Sequence, residues 1–291
     1  MKELRCIVII LCCLLAACGR QEGLPEGRRG NAAYYWRTVF SLDSTELSFV
    51  RQYAIGTLYC RYFDVVNTPS AGPMPNATIS FQHPLPDGVE LVPTVFVMED
   101  CMHRYPDSLA ARIVRRVAQM NETNDVTGVR ELQIDCDYTL RSRDTYYRFL
   151  REVGAEARRH GWRLSTTIRL HQLSMPAPPV DYGVLMLYNT GAPERFAERN
   201  PILDLRDVMP YLHHLSDYPL PLAAAYPVFE WQRMVHGVNI AHEALPADIL
   251  HTKQAVEQKR DDLRQLILTY HLSTENIDRY QPEHYEAIYH H

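Results

Sequence analysis

The sequence predicts an α/β fold, a (β/α)8 barrel of irregular form, and three observations support this prediction. Eight short runs of apolar, β-branched or aromatic residues are spread along the chain, and each is typical of a buried strand. Segments with apolar residues at helical spacing separate several runs, which indicates parallel strands joined by right-handed crossovers and covered by helices. The chain of 291 residues is also long enough for one such barrel, which typically needs about 250 residues.

The predicted strands are, in order, YYWRTVF (34–40), TLYCRYFDVV (57–66), ELVPTVFVM (90–98), ELQIDCDY (131–138), RLSTTIRL (163–170), YGVLMLY (182–188), LAAAYPVF (222–229) and LRQLILTY (263–270). The clearest helices lie on either side of the fourth run. Residues 109–120 carry apolar side chains at helical spacing before it, and residues 146–157 do so after it, with Gly161 as the stop signal. Ser44 is the predicted cap of a shorter helix that runs to Tyr53.

Two connections make the predicted barrel irregular, because neither contains a convincing helix. Residues 67–88 are rich in proline and turn-forming residues, and residues 171–181 are both short and dense in proline. A doubly wound open sheet is the alternative fold. The first strand is not followed by a glycine-rich phosphate loop, which argues against a nucleotide-binding sheet of that kind.

The N-terminus has the features of an exported lipoprotein. Lys2 and Arg5 precede an apolar run that ends in LAAC, which predicts a signal peptide over residues 1–17. LAAC resembles the bacterial lipobox, so Cys18 is the expected site of lipidation and of attachment to the membrane. Gly19 follows in place of an aspartate, which favours the outer membrane of the cell envelope.

Beyond this leader we expect a polar tether over residues 18–31 and a single domain over residues 32–291. The formal net charge is −5 and no basic stripe stands out, so nucleic acid is not an expected partner. A cluster formed by Arg112, Arg115 and Arg116 fits the solvated side of a helix.

Cysteines and histidines give no sign of a disulfide framework or a metal site. Cys60, Cys101 and Cys136 remain besides the lipidated cysteine, so at most one internal bridge can form, and Cys136 is expected to be free and buried. The thirteen histidines show no paired ligand spacing, so we expect no metal and no cofactor.

Polar side chains collect where the predicted strands end, which is where a (β/α)8 barrel carries its reactive groups. Asp135 and Asp137 lie two positions apart on one strand, so both side chains point to the same side, into the lumen. Two carboxylates this close raise the pKa of one of them unless a cation such as Arg61 or Arg169 intervenes. An inward ion-pair network that merely fills the barrel is the competing interpretation. The other candidates at strand ends are Asp64, Glu99, His171, Tyr188, Asn189, Tyr226, Glu230 and Trp231.

Two segments resemble a known family. LQIDCDYT, residues 132–139, resembles the fourth-strand signature of the chitinase-like glycoside hydrolases (family eighteen), in which alternating aspartates lead to a catalytic glutamate. MLYN, residues 186–189, resembles that family's sixth-strand Met-x-Tyr-Asp/Asn element. The position that matches the glutamate is Thr139, which cannot protonate a glycosidic oxygen. The chain also resembles barrel lipoproteins of Bacteroides-type bacteria, which implies a cell-envelope setting and contact with glycans.

The first functional hypothesis is a glycosidase that uses a different pair of carboxylates. Glycoside hydrolysis ordinarily requires two carboxyl groups, and Asp137 with Glu230 or Glu99 could supply them. Asp135 would then orient Asp137. The residues assigned to substrate binding are Arg61, Asp64, Arg169, His171, Tyr188, Asn189, Tyr226 and Trp231, and Trp36, Tyr226 or Trp231 offers a flat face for a sugar ring.

Two further hypotheses stay open. A non-catalytic glycan-binding lipoprotein that has lost its general acid would explain Thr139 directly. Metal-dependent hydrolysis would recruit Asp135, Asp137, His171 and His103, and it ranks last because a lone histidine at a strand end more often serves a structural role.

Overall fold

A closed barrel of eight parallel strands forms the centre of the computed structural model, which describes residues 23–192, 196–235 and 237–290. Each strand pairs with the next along the chain, and the last pairs with the first. The strands are β1 (Gly30–Tyr35), β2 (Ile55–Thr68), β3 (Glu90–Val97), β4 (Glu131–Asp135), β5 (Arg163–Ile168), β6 (Tyr182–Met186), β7 (Leu222–Pro227) and β8 (Leu266–Tyr270). All eight overlap the predicted runs, so the predicted (β/α)8 fold is confirmed and the open-sheet alternative is wrong. Cys18 and the predicted signal peptide lie outside the described residues.

Helices pack around the barrel. In the described residues the α-helices are α1 (Ser44–Gln52), α2 (Leu109–Thr123), α3 (Arg143–Arg159), α4 (Leu205–Val208), α5 (Leu212–Leu215), α6 (Pro246–Glu257), α7 (Thr274–Ile277) and α8 (Pro282–Ile288), and short 3-10 turns span Glu99–His103, Leu170–Ser174, Met209–Tyr211 and Asp261–Arg264. Asp43, and not Ser44 as predicted, caps α1. The Asp43 side chain accepts the Glu46 backbone N–H at 2.9 Å, and the Glu46 side chain accepts the Asp43 N–H at 3.0 Å.

The two connections predicted to be poor in helix contain no α-helix, and both are fully described. In the first, the strand Gly72–Asn76 runs antiparallel to the end of β2, and Ser80–Phe81 pairs with Val39–Phe40. In the second, only the 3-10 turn Leu170–Ser174 follows β5. A hairpin after β7, which the sequence did not predict, pairs the strands Glu230–Val235 and Val238–Glu243.

Alternation along β4 divides the interior into a lumen and an outer core. Leu132 and Ile134 pack in the outer core beneath the helices. Glu131, Gln133 and Asp135 point into the lumen, where they make hydrogen bonds with side chains of other strands. All five residues of the strand are buried, so the polar ones depend on partners within the barrel.

A buried ion pair closes the N-terminal end of the barrel. Arg28, which is 2% exposed, donates from Nε to Glu131 at 2.5 Å and from Nη2 to Glu90 at 2.7 Å. Glu131 also accepts hydrogen bonds from the hydroxyls of Tyr182 and Ser165, both at 2.6 Å. Because Arg28 is buried and β1 begins at Gly30, the end of the predicted tether is part of the folded structure.

Among the described helices, none combines the length and the hydropathy that a membrane span needs. Cys60, Cys101 and Cys136 are buried free thiols, as expected for Cys136 from its place on the strand. Packing, ion pairs and hydrogen bonds therefore hold the described part of the fold together without a disulfide.

Candidate functional site

Asp135 ends β4 inside the barrel and is only 3% exposed. The Thr167 hydroxyl donates a hydrogen bond of 2.6 Å to its Oδ1 atom. Burial raises the pKa of Asp135 to about 6, the neighbouring Arg169 guanidinium opposes the rise, and Asp137 adds to it. The carboxyl group thus carries the raised pKa that two close aspartates predict, although burial is the larger cause.

Asp137 follows Asp135 by two residues and lies at the mouth of the lumen. Its side chain is 51% exposed and accepts a hydrogen bond of 2.5 Å from the Arg169 Nε atom. Arg169 is therefore the cation that the sequence predicted between the two acids. Arg61, the other candidate, forms an ion pair with Asp64 instead, with a distance of 2.7 Å between Arg61 Nε and Asp64 Oδ1.

A cleft of about 320 Å³ opens beside Asp137 at the C-terminal ends of β4, β5 and β6. It brings together five of the predicted site residues, Asp137, Arg169, His171, Tyr188 and Asn189, and its lining also includes Thr190 and Tyr211. Two polar atoms of this lining are buried without a hydrogen-bond partner, the Tyr188 hydroxyl and Arg169 Nη1. Buried polar groups are nearly always paired, so these two atoms mark where a ligand would supply partners.

Aromatic rings form the floor of the barrel mouth. The Tyr188 ring stacks on Tyr270 with 4.7 Å between centroids, and Tyr270 lies 5.7 Å from Trp36. Trp36 and Arg61 in turn line a second cleft of about 670 Å³ at the end of β1. Tyr270 was not among the predicted site residues, although it is the last residue of β8 and reactive groups lie at strand ends in such barrels.

Glu99 lies beside Thr139, the residue that stands where the resembled signature has a glutamate. It begins the 3-10 turn after β3 and accepts a hydrogen bond of 3.0 Å from the Thr139 hydroxyl. Hydrogen bonds from Ser142 and Thr139, with His103 Nε2 3.3 Å away, hold the pKa of Glu99 below its ordinary value. A carboxyl group thus stands beside Thr139, but it is ionised at neutral pH.

Three other predicted site residues do not join this cleft. Tyr226 faces the outer core, because it alternates with Ala225 on β7 and only Ala225 points to the lumen. Glu230 lies in the hairpin after β7 and pairs with Arg279 at 2.7 Å. Trp231 lies in the same hairpin, where its ring packs edge-on against Phe196. These three residues were predicted because they lie near the end of β7. The alternation of side chains along β7 turns Tyr226 outward, and the hairpin carries Glu230 and Trp231 away from the cleft.

The described part of the chain contains no group of three or more histidine, cysteine or acidic side chains arranged to hold a metal ion. The hypothesis of metal-dependent hydrolysis therefore has no ligand set among these residues. His171 lines the cleft and His103 contacts Glu99, so the two histidines of that hypothesis have separate surroundings.

Several solved structures, chitinases among them, share the architecture of this barrel. The spore cortex-lytic enzyme SleL of Bacillus cereus superposes with a TM-score of 0.58 at 14% identity over 91% of this chain and 75% of its own. A chitinase from Chromobacterium violaceum gives a TM-score of 0.58 at 12% identity over 89% of this chain and 98% of its own. The chain has the barrel fold of chitinase-like proteins.

A third solved structure shows the same likeness. The Group IV chitinase of Ostrinia furnacalis gives a TM-score of 0.57 at 10% identity over 89% of this chain and 98% of its own. No protein-family model and no curated protein matches the sequence. At identities this low the likeness establishes the fold, and function has to be argued from the cleft itself.

Proposed function

We propose that the protein binds a glycan in the cleft beside Asp137 without hydrolysing it, and that a lipid on Cys18 holds it in the cell envelope. One observation carries the binding proposal, namely the two buried and unpaired donors that line the cleft, the Tyr188 hydroxyl and Arg169 Nη1. Sugar hydroxyls are suitable partners for both. Aromatic rings next to them offer a flat apolar surface for the ring of a sugar.

The surroundings of the acids favour binding over hydrolysis. Protonation of a leaving group needs an accessible acid with a raised pKa, and Thr139 stands where the family places one. The hydrogen bonds from Ser142 and Thr139 lower the pKa of Glu99 and so keep its carboxylate ionised, and Asp137 is paired with Arg169. Asp135 does have a raised pKa, but at 3% exposure it is covered from the cleft.

The point at which the chain enters the barrel is compatible with an N-terminal lipid anchor. The chain enters the barrel at its N-terminal end, where Arg28 is buried, whereas the cleft opens at the C-terminal end of the strands. A lipid on Cys18 would therefore hold the barrel with its cleft directed away from the membrane, where a glycan can reach it. The sequence LAAC is the support for lipidation, and Gly19 for the outer membrane.

A matched pair of tyrosine variants tests the proposal. Tyr188 and Tyr226 both carry a buried hydroxyl without a partner, but only that of Tyr188 lines the cleft. Isothermal titration of the full chain with chitotetraose should show binding, weakened about threefold to tenfold by Tyr188→Phe, the value of one hydrogen bond. Tyr226→Phe should leave the affinity unchanged.

Product analysis completes the experiment. Chitotetraose recovered after prolonged incubation with the wild-type chain should be intact. Cleavage would contradict the non-hydrolytic proposal, and equal effects of Tyr188→Phe and Tyr226→Phe would contradict the assigned cleft. Failure of the chain to bind either chitotetraose or a peptidoglycan tetrasaccharide would refute glycan binding at this site.

A further inference from the structure

A separate cleft of about 190 Å³ lies on the outside of the barrel, between the edge strand Gly72–Asn76 and helix α2. Its floor is apolar and includes Phe63 and Val65 from β2, which belong to the outer core, with Pro75 and Ile113 at its sides. No acidic side chain lines it. This cleft has no part in the glycan site, which opens from the barrel lumen.

Three arginines, Arg112, Arg115 and Arg116, border this apolar cleft. The Arg116 guanidinium lies 5.2 Å from the Phe63 ring centroid and donates to the Thr78 hydroxyl at 3.0 Å, while its Nε atom is buried without a partner. The described residues provide none of the three with an ion pair within 4 Å. By contrast, Arg169 in the cleft beside Asp137 and Arg61 in the cleft beside Trp36 each pair with a carboxylate.

We propose that this cleft is a binding site for a small organic acid with an apolar body. A guanidinium matches a carboxylate in geometry and charge, and the apolar floor removes the hydrocarbon part from water. The volume equals that of about six waters at roughly 30 Å³ each, which fits a short alkyl chain or a single ring.

The charge of the cleft selects this class of ligand. A neutral apolar molecule would leave three cationic groups without a counter-charge, and a free inorganic anion would leave the floor exposed to water. A carboxylate satisfies both requirements at once, including the unpaired Arg116 Nε atom. The solvated helix face that the sequence predicted is therefore only part of the role of these arginines.

Octanoate is the probe for this site, and octanol is its neutral counterpart. Titration calorimetry of the full chain should show octanoate binding about tenfold more tightly than octanol, because only octanoate pairs with the guanidinium groups. The double variant Arg112→Gln/Arg116→Gln should weaken octanoate about tenfold or more and remove its preference over octanol. Arg151→Gln on α3, an exposed arginine away from the cleft, is the matched control and should change nothing.

Each outcome decides the proposal. Equal binding of octanoate and octanol, an unchanged affinity in the double variant, or no octanoate binding at 20 mM would overturn it. Because Arg112 is exposed and Arg116 is partly exposed on a helix surface, the double variant should keep its fold, which its melting temperature checks. Chitotetraose binding at the barrel mouth should be unaffected in the same variant, so this test and the glycan test fail independently.

Discussion

Loss of Arg28 should destabilise the barrel strongly, although this residue precedes the first strand. Arg28→Met removes the only cation bonded to Glu131 in the described residues and leaves a carboxylate that is 0% exposed. Breaking a buried ion pair from one side costs about 3–5 kcal/mol. Tyr182 and Ser165 still donate to Glu131, so we expect the lower end, about 3 kcal/mol.

The loss should depend on pH in a definite direction. Burial raises the pKa of Glu131 and the charge of Arg28 opposes that rise, so removal of Arg28 raises the pKa further. The folded variant then holds a proton that the unfolded chain releases above its ordinary pKa. Its stability therefore falls as pH rises through this window, and the loss relative to wild type should be larger at pH 8 than at pH 5.

Urea denaturation followed by tryptophan fluorescence measures these differences in the full chain. Arg130→Met is the control, because Arg130 pairs with Glu90 at 2.8 Å but is 65% exposed, and its loss should cost below about 1 kcal/mol. In Arg28→Met/Glu131→Gln the buried charge is gone, so much of the stability should return. A loss below about 1 kcal/mol for Arg28→Met, equal at pH 5 and pH 8, would refute the reasoning.

Three further predictions concern the rim and the first helix. Asp135→Asn should stabilise the fold by roughly 3 kcal/mol at pH 7.5, because burial raises the pKa of Asp135 from 3.8 to about 6 and its ionisation weakens the folded state as pH rises. Melting temperatures between pH 4 and pH 8 check this, and a gain that persists at pH 4 would contradict it. Thr139→Glu should introduce slow release of nitrophenol from 4-nitrophenyl chitobioside, because ionised Glu99 beside it raises the pKa of the new carboxyl group. Thr139→Gln should release none, and equal rates for both variants would count against the role assigned to position 139. Asp43→Ala should cost about 1 kcal/mol of folding free energy as a lost helix cap, and Ser44→Ala less than about 0.5 kcal/mol. If thermal melts show that Ser44→Ala destabilises the protein more than Asp43→Ala, then Ser44 and not Asp43 is the helix cap.

Most of the barrel could be predicted from the sequence because strands and helices leave local signals. The run at 131–138 alternates between polar and apolar residues, and α2 and α3 show the spacing of helices with one buried face. The hairpin after β7 escaped prediction. Its two strands contain no buried residue, so they lack the apolar pattern by which the barrel strands were recognised.

The candidate site could be predicted where strand parity fixes the direction of a side chain. Asp135 ends β4 and Asp137 continues its period of two just beyond the strand, while Arg169 comes directly after the neighbouring β5. The same alternation explains why the prediction for Tyr226 was wrong. Tyr226 is one residue from Ala225, which faces the lumen, so its side chain faces the outer core. Glu99 and Thr139 are 40 residues apart in sequence, so no local sequence pattern could predict their contact.

The sequence by itself determined the strand and helix order, the twin aspartates, and the threonine where the signature that it resembles has a glutamate. Those features depend on residues that are neighbours along the chain. Only the tertiary structure decided that Arg28 closes the barrel, that Glu99 stands beside Thr139, and that Arg116 borders an apolar cleft. Each of these contacts joins segments far apart in sequence, and the pairing of the barrel strands and the packing of helices on them bring these segments together.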